Sequence, residues 1–168
     1  MTELFKSITA SQYLAALATL DQSIEGASDE IWAANHIDTA VDQVVFHTLF
    51  YTELYLGRGM GGFRSQQFHQ DTVDMFRDYE ELEENGVNHH YTKAMCKEYM
   101  KHCLRKAHDI MESETETTLR GESGFHWRKC TRAELHIYNI RHIQHHAAQL
   151  GLRNQLIGGA PLNWVSGE

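Results

Sequence analysis

Arg141-His142-Ile143-Gln144-His145-His146-Ala147-Ala148-Gln149-Leu150 places three histidines within five residues. On an α-helix each residue advances by roughly 100°, so His142 and His146 lie about 40° apart, one turn above the other. This is the spacing by which one helix offers two imidazoles to a single metal ion. His145 points roughly the same way, so helical phase has to choose the pair. Leu135, Ile143, Leu150 and Ile157 mark an apolar stripe, and His142 and His146 fall inside it with Asn139. His145 falls at its edge, beside Glu134 and Arg141. The phase therefore selects His142 and His146 as ligands and leaves His145 as a partly exposed neighbour. A reading without metal also exists, in which buried neutral imidazoles are satisfied by protein partners.

Working outward, Thr131 with Glu134 three residues later reads as a capping box that starts this helix, which continues to about Leu156. Three more amphipathic segments precede it. The first runs from Ile8 to Ile24, with Tyr13, Leu14, Leu17, Leu20 and Ile24 recurring at helical steps. The second starts from a cap at Asp38 or Thr39 and runs to about Leu56, where Gly57, Gly59, Gly61 and Gly62 stop it. The third spans Tyr91 to about Leu119. Between them, Asp71 to Glu84 suits a short acidic helix, its charge run Asp78 to Glu84 a solvated face. Four long segments with little strand signal predict an all-α chain, a four-helix bundle in one domain over residues 1–168. Such bundles build sites from inward side chains on facing helices. His47 shares the core face of the second helix with Val44, Tyr51 and Leu54, and can meet His142 and His146. Three histidines around one ion leave an open fourth position, the pattern of a catalytic zinc site. His102, at the edge of the third helix's stripe, is a further candidate for the centre. A carboxylate di-iron site needs paired Glu-x-x-His motifs, and Glu134 is not three before any histidine.

Composition bounds the function. The net charge of −8, with Lys and Arg scattered, argues against a nucleic-acid partner. No apolar run reaches about 18 residues, so no membrane span is expected. The first residues lack a signal-peptide core, which points to a cytoplasmic location. Cys96, Cys103 and Cys130 form no disulfide framework and read as small core hydrophobes. The single proline, Pro161, follows the last helix and leaves the rest of the chain permissive for long helices.

The chain resembles the DinB-like (damage-inducible) superfamily of metal-dependent enzymes over nearly its whole length. The resemblance rests on Phe46-His47-Thr48-Leu49-Phe50-Tyr51, on Arg141 to His146 with Gln149, and on Ala160-Pro161-Leu162-Asn163-Trp164-Val165. It implies an up-and-down-type four-helix bundle, often a homodimer. It also implies zinc, or alternatively nickel, held by a second-helix histidine and an i, i+4 pair, here His47, His142 and His146. Characterised members include isomerases and S-transferases that use a low-molecular-weight thiol.

The expected function is that of a metal-dependent enzyme acting on a small molecule, either a thiol-dependent transferase or isomerase, or a hydrolase. Asn139 would be a substrate contact or a support to a ligand, and Tyr51 a hydroxyl donor near the site. The alternatives are a non-catalytic metal-binding or stress-related binding protein, and a structural helical dimer whose histidines merely pack.

Overall fold

A helix that starts with a buried arginine sets the frame. In this computed structural model, which describes residues 1–33, 39–83, 89–157 and 159–167, the last helix spans Arg132–Leu156. The regular structure among the described residues is helical. In chain order the elements are α1 (Thr2–Gly26), α2 (Asp29–Trp32), α3 (Val41–Leu56), α4 (Gln67–Asp71), α5 (Val73–Phe76), a 3-10 segment (Arg77–Leu82), α6 (Lys93–Ser113), α7 (Glu116–Arg120) and α8 (Arg132–Leu156). The Thr131–Glu134 capping box forms as the sequence indicates.

The boundaries differ elsewhere. Helix α1 begins at Thr2 rather than Ile8, because no glycine or proline interrupts the first turns and buried Thr9 extends the core face back from Tyr13. Leu14 is exposed instead of lying on the core stripe, as is Ile157 at the end of α8. Helix α3 is preceded by Ala40 without a side-chain cap; Asp38 lies outside the described residues. The third helix does not run through to Leu119. It stops at Ser113, and a separate capping box of Thr115 and Thr118 opens α7. Glu84 lies outside the described residues, and where an acidic helix over Asp71 to Glu84 is expected, α5 and the 3-10 segment stand instead. There Arg77 and Tyr79 adopt left-handed φ values of 30° and 65°, which a continuous right-handed helix excludes. Trp164, in the tail after Pro161, is 90% exposed.

Each long helix packs on two others, α1 and α3 both lying against α6 and α8. Side-chain contacts set the directions. Tyr13 meets His136 and Asn139 while Ser23 meets Ala147 and Asn154, so α1 and α8 are parallel. His47 lies by His146, the Thr52 carbonyl accepts from Asn139 and the Tyr55 carbonyl from Arg132, so α3 and α8 are antiparallel. The Leu49 carbonyl accepts from Cys103 and Glu53 from Lys106, with Phe46 against Tyr99, so α3 and α6 are parallel. The order is up, down, down, up, which corrects the up-and-down expectation. The segment between Gly57 and Thr92 is long enough to carry the chain back past α3, about 24 Å for its 16 residues.

Two buried polar knots hold this arrangement. Arg132 donates from Nη1 to the carbonyls of Tyr55 (2.7 Å) and Gly57 (2.6 Å), and from Nη2 to that of Leu56 (2.7 Å). Its Nε donates to Glu114 (2.9 Å), which also receives His136 and Thr118. Three of the carbonyls left open at the end of α3 are thus satisfied by the first residue of α8. The second knot is centred on Glu53, fully buried on α3. It accepts from His69 (2.8 Å), Tyr99 (2.6 Å), His102 (2.9 Å) and Lys106 (2.9 Å). His102 therefore faces Glu53, stacked on Phe68, and is not part of a site with His47.

Burial alone would raise the Glu114 carboxyl, but the donors His136, Thr118 and Arg132 hold it down at about 2. A carboxyl depressed in the folded state contributes stability above its unfolded value, 4.5, that is lost as pH falls toward 2. We expect Glu114→Gln to cost about 3 kcal/mol at neutral pH, because buried Arg132 loses its counter-charge. Urea melts between pH 7 and pH 2 should show a flatter acid dependence in the variant. An unchanged acid profile would remove Glu114 from this role.

Candidate metal centre

Helices α3 and α8 bring His47, His142 and His146 together. One ring nitrogen from each lies within 4.8 Å of those of the other two, and all three side chains are partly buried. Ring centroids are 5.5 Å apart for His47–His142, 5.2 Å for His47–His146 and 4.7 Å for His142–His146. The heights agree with the Arg132 clamp. His142 lies about 15 Å along α8 from Arg132, and His47 about 12 Å back along antiparallel α3 from Tyr55, at 1.5 Å per residue. His145 is exposed and outside the trio, although its ring is 5.0 Å from that of His146.

Hydrogen bonds orient two of the three rings. A carboxylate can only accept, so His47 donates from Nδ1 to Glu81 Oε2 at 2.9 Å and keeps its Nε2 lone pair free. His146 Nδ1 donates to the Gln149 side-chain carbonyl at 3.1 Å, with the same consequence. Nδ1 of His142 is buried and has no partner. Burial, then the neighbouring His146, His47 and His145, push the His142 pKa down to about 3. Burial also lowers His146, ahead of any other cause. Both rings are therefore disposed to stay neutral, the state that ligates a cation.

This donor set fits a divalent transition ion. Tetrahedral zinc, with bonds of about 2.0–2.1 Å, requires nitrogens roughly 3.3 Å apart. The trio would have to contract by about 1.5 Å at its widest, within reach of imidazole rotation. Nδ1 of His142, buried without a partner, is an unmet polar demand on one of the three rings.

Glu81 escaped the sequence reading, because its charge run reads as a solvated face. Its side chain is only 8% exposed. No local spacing links it to His47; only the rule that a ligating histidine is backed by a carboxylate would have called for such a residue. Gln149, by contrast, lies three residues after His146 and could have been found from helical spacing. Tyr51 is close, its ring 4.8 Å from that of His47, but its hydroxyl donates to the Glu81 carbonyl at 3.0 Å. Asn139 is not at the site. Its amide donates to Tyr13 Oη (3.2 Å) and the Thr52 carbonyl (2.9 Å), tying α8 to α1 and α3.

Two cavities flank the trio. One, of about 510 Å³, joins His47 and His146 to Gln43, Glu80, Glu81 and Glu83. The other, of about 550 Å³, joins all three histidines to an aromatic wall and Arg128.

Removing the carboxylate behind His47 tests the orientation argument. Glu81→Gln is expected to weaken zinc affinity by about 10–100-fold while the chain stays helical. Competition with a chromophoric chelator measures the affinity, and circular dichroism the helicity. An affinity within twofold of the unaltered protein would show that Glu81 does not support the site.

Comparison with known proteins identifies no relative: no family model matches the chain, and no curated protein or solved structure is found similar to it.

Proposed function

We propose that this chain is a metal-dependent enzyme of the DinB-like type, acting on a small molecule in the cytoplasm. Its four long helices would form a four-helix bundle of that superfamily, with the crossover between α3 and α6 described above. The convergence of His47, His142 and His146 carries the proposal. They would hold the ion, with zinc favoured for three neutral imidazoles and nickel as the alternative. A bound ion would supply Lewis acidity to a water or thiol that reaches it.

The chain's own residues would orient and shield. Glu81 and Gln149 aim two imidazoles through their Nδ1 protons. Tyr51 braces the Glu81 backbone and closes one side of the site. The reaction favoured by the resemblance is thiol transfer or isomerisation, with hydrolysis as the water-dependent counterpart.

One observation favours a second reading, a non-catalytic metal-binding protein. The carboxylate of Glu81 and the hydroxyl of Tyr51 are both engaged in the hydrogen bonds just described. The nearest carboxylate and phenol behind His47 thus serve to hold the site. An activity screen with small thiols and electrophiles separates the readings: turnover that depends on the metal supports the enzyme, and retained metal without turnover supports the binder.

Untagged protein, purified without chelator or a nickel column, should contain about one transition-metal ion per chain. His145→Ala should keep most of it, and His146→Ala should lose most. His47→Gln should weaken binding by orders of magnitude with a largely helical fold. Elemental analysis and metal titration read all three. Stoichiometric metal in a His142→Ala/His146→Ala double variant would overturn the site.

A further inference from the structure

We propose that the cavity on the aromatic side of the histidine trio binds a small organic monoanion, a carboxylate on an apolar or aromatic body. The carboxylate would lie on Arg128 and the body would reach toward the metal centre. This deepens the metalloenzyme reading and rests on it for where the reacting group lies.

The cavity is lined by Tyr55, Met60, Leu82, Trp127, Arg128 and Tyr138 together with the three histidines. Its volume, about 550 Å³, is in the range of small-molecule sites, which combine apolar walls with a few polar groups that set orientation. Arg128 is that polar group. Its guanidinium carbon lies 4.0 Å from the centre of the Tyr138 ring and 5.9 Å from that of Tyr55, and Nη2 donates to the Tyr138 hydroxyl. Nε is buried without a partner. Among the described residues no carboxylate lies within ion-pair distance of it, whereas the neighbouring Arg132 is neutralised by Glu114. Aromatic faces and a phenol stabilise a cation but do not cancel its charge. An anion delivered by a ligand would do so, and a guanidinium matches a carboxylate through two parallel donors.

The loop holds Arg128 in place beforehand. Ser123 Oγ accepts from the Phe125 amide and donates to the Arg128 carbonyl at 2.5 Å, and the Arg128 amide donates to the Phe125 carbonyl. Gly124, at φ 90°, packs so closely on the Arg58 carbonyl that a Cβ would come within 2.4 Å of its oxygen. The charge is thus presented by an ordered loop fastened to the end of α3.

Charge selects the class. Arg128 is the one Lys or Arg among the described residues lining this cavity, so the end of the ligand that lies on it needs a single planar anionic group, which a carboxylate supplies. The other cavity carries Glu80, Glu81 and Glu83, which disfavour an anion there. An anionic ligand is thereby confined to the aromatic side.

The test is calorimetric titration of the full-length protein, as purified and after chelation, with phenylacetate and its neutral isostere phenylacetamide. Metal content is measured on each sample. The acid should bind about tenfold tighter or better. Arg128→Gln should erase the difference without changing metal content or melting temperature, and Arg128→Lys should keep part of it. Equal binding of acid and amide by the unaltered protein would overturn the proposal, even if an Arg128 variant failed to fold. So would an acid preference that survives Arg128→Gln, including one that disappears only on chelation, since the carboxylate would then be on the metal. Acetate binding as tightly as phenylacetate would refute the apolar part of the site. An Arg128-dependent preference in protein that takes up no metal would refute the metalloenzyme reading and leave the anion site standing. Metal without the preference would do the reverse.

Discussion

The guanidinium of Arg132 is the constraint on which the geometry of this chain depends. It sits at the first residue of α8 and satisfies three carbonyls at the end of α3, while Glu114, just past α6, supplies its counter-charge. Three long helices are thereby registered at one end of the molecule. A buried charge is costly unless it is paired and its donors are used, and here the charge and donors are taken up by groups from different helices. Sliding α3 along α8 by one turn would separate the arginine from those carbonyls. It would also carry His47 about 5.4 Å from its level with His142 and His146. Register and site are fixed by the same contacts.

Helix α3 carries two kinds of polar face, and the difference decides which can take a ligand. Toward α6, Glu53 accepts four donors, from His69, Tyr99, His102 and Lys106. Burial works against its ionised form, yet the bonds from His102 and His69 and the Lys106 charge hold its carboxyl far below the usual range. A carboxylate so fully bonded has little capacity left for an ion or substrate. Toward α8, His47 is 38% exposed in its side chain and borders both cavities. Histidines occur on both faces; among the described residues, only on the second do ring nitrogens of three histidines lie within 4.8 Å of one another.

The parts of this arrangement that could be read from the sequence are those encoded within one helix. His142 and His146 repeat at one turn, Thr131 and Glu134 form a capping box, and Leu135, Ile143 and Leu150 are buried in the phase their spacing indicates. Placing His47 opposite the pair needed only the assumption that long amphipathic helices face one another. What lay beyond reach was set by irregular backbone. Glu81 reaches His47 because Arg77 and Tyr79 turn the chain through left-handed conformations, and Tyr79 is pinned by His69 and the Arg64 carbonyl. Helix direction was equally hidden, because amphipathic periodicity is the same whichever way a helix runs. Asn139 misled for a related reason: phase put it on the face of His142, but the partners that use its amide come from α1 and α3.

His142 differs from its two companions in a way that bears on what the site is for. His47 and His146 each have an acceptor on Nδ1, so their rings are aimed whether or not a ligand is present. His142 has none on that nitrogen, and a buried polar atom left unpaired costs about 1–3 kcal/mol. Protonation is no escape, since burial and the neighbouring imidazoles hold its pKa near 3. A core selected for packing alone would fill that position with an apolar side chain at no such cost. The histidine is therefore better explained as one member of a trio whose other two rings are aimed by acceptors and bordered by open cavities.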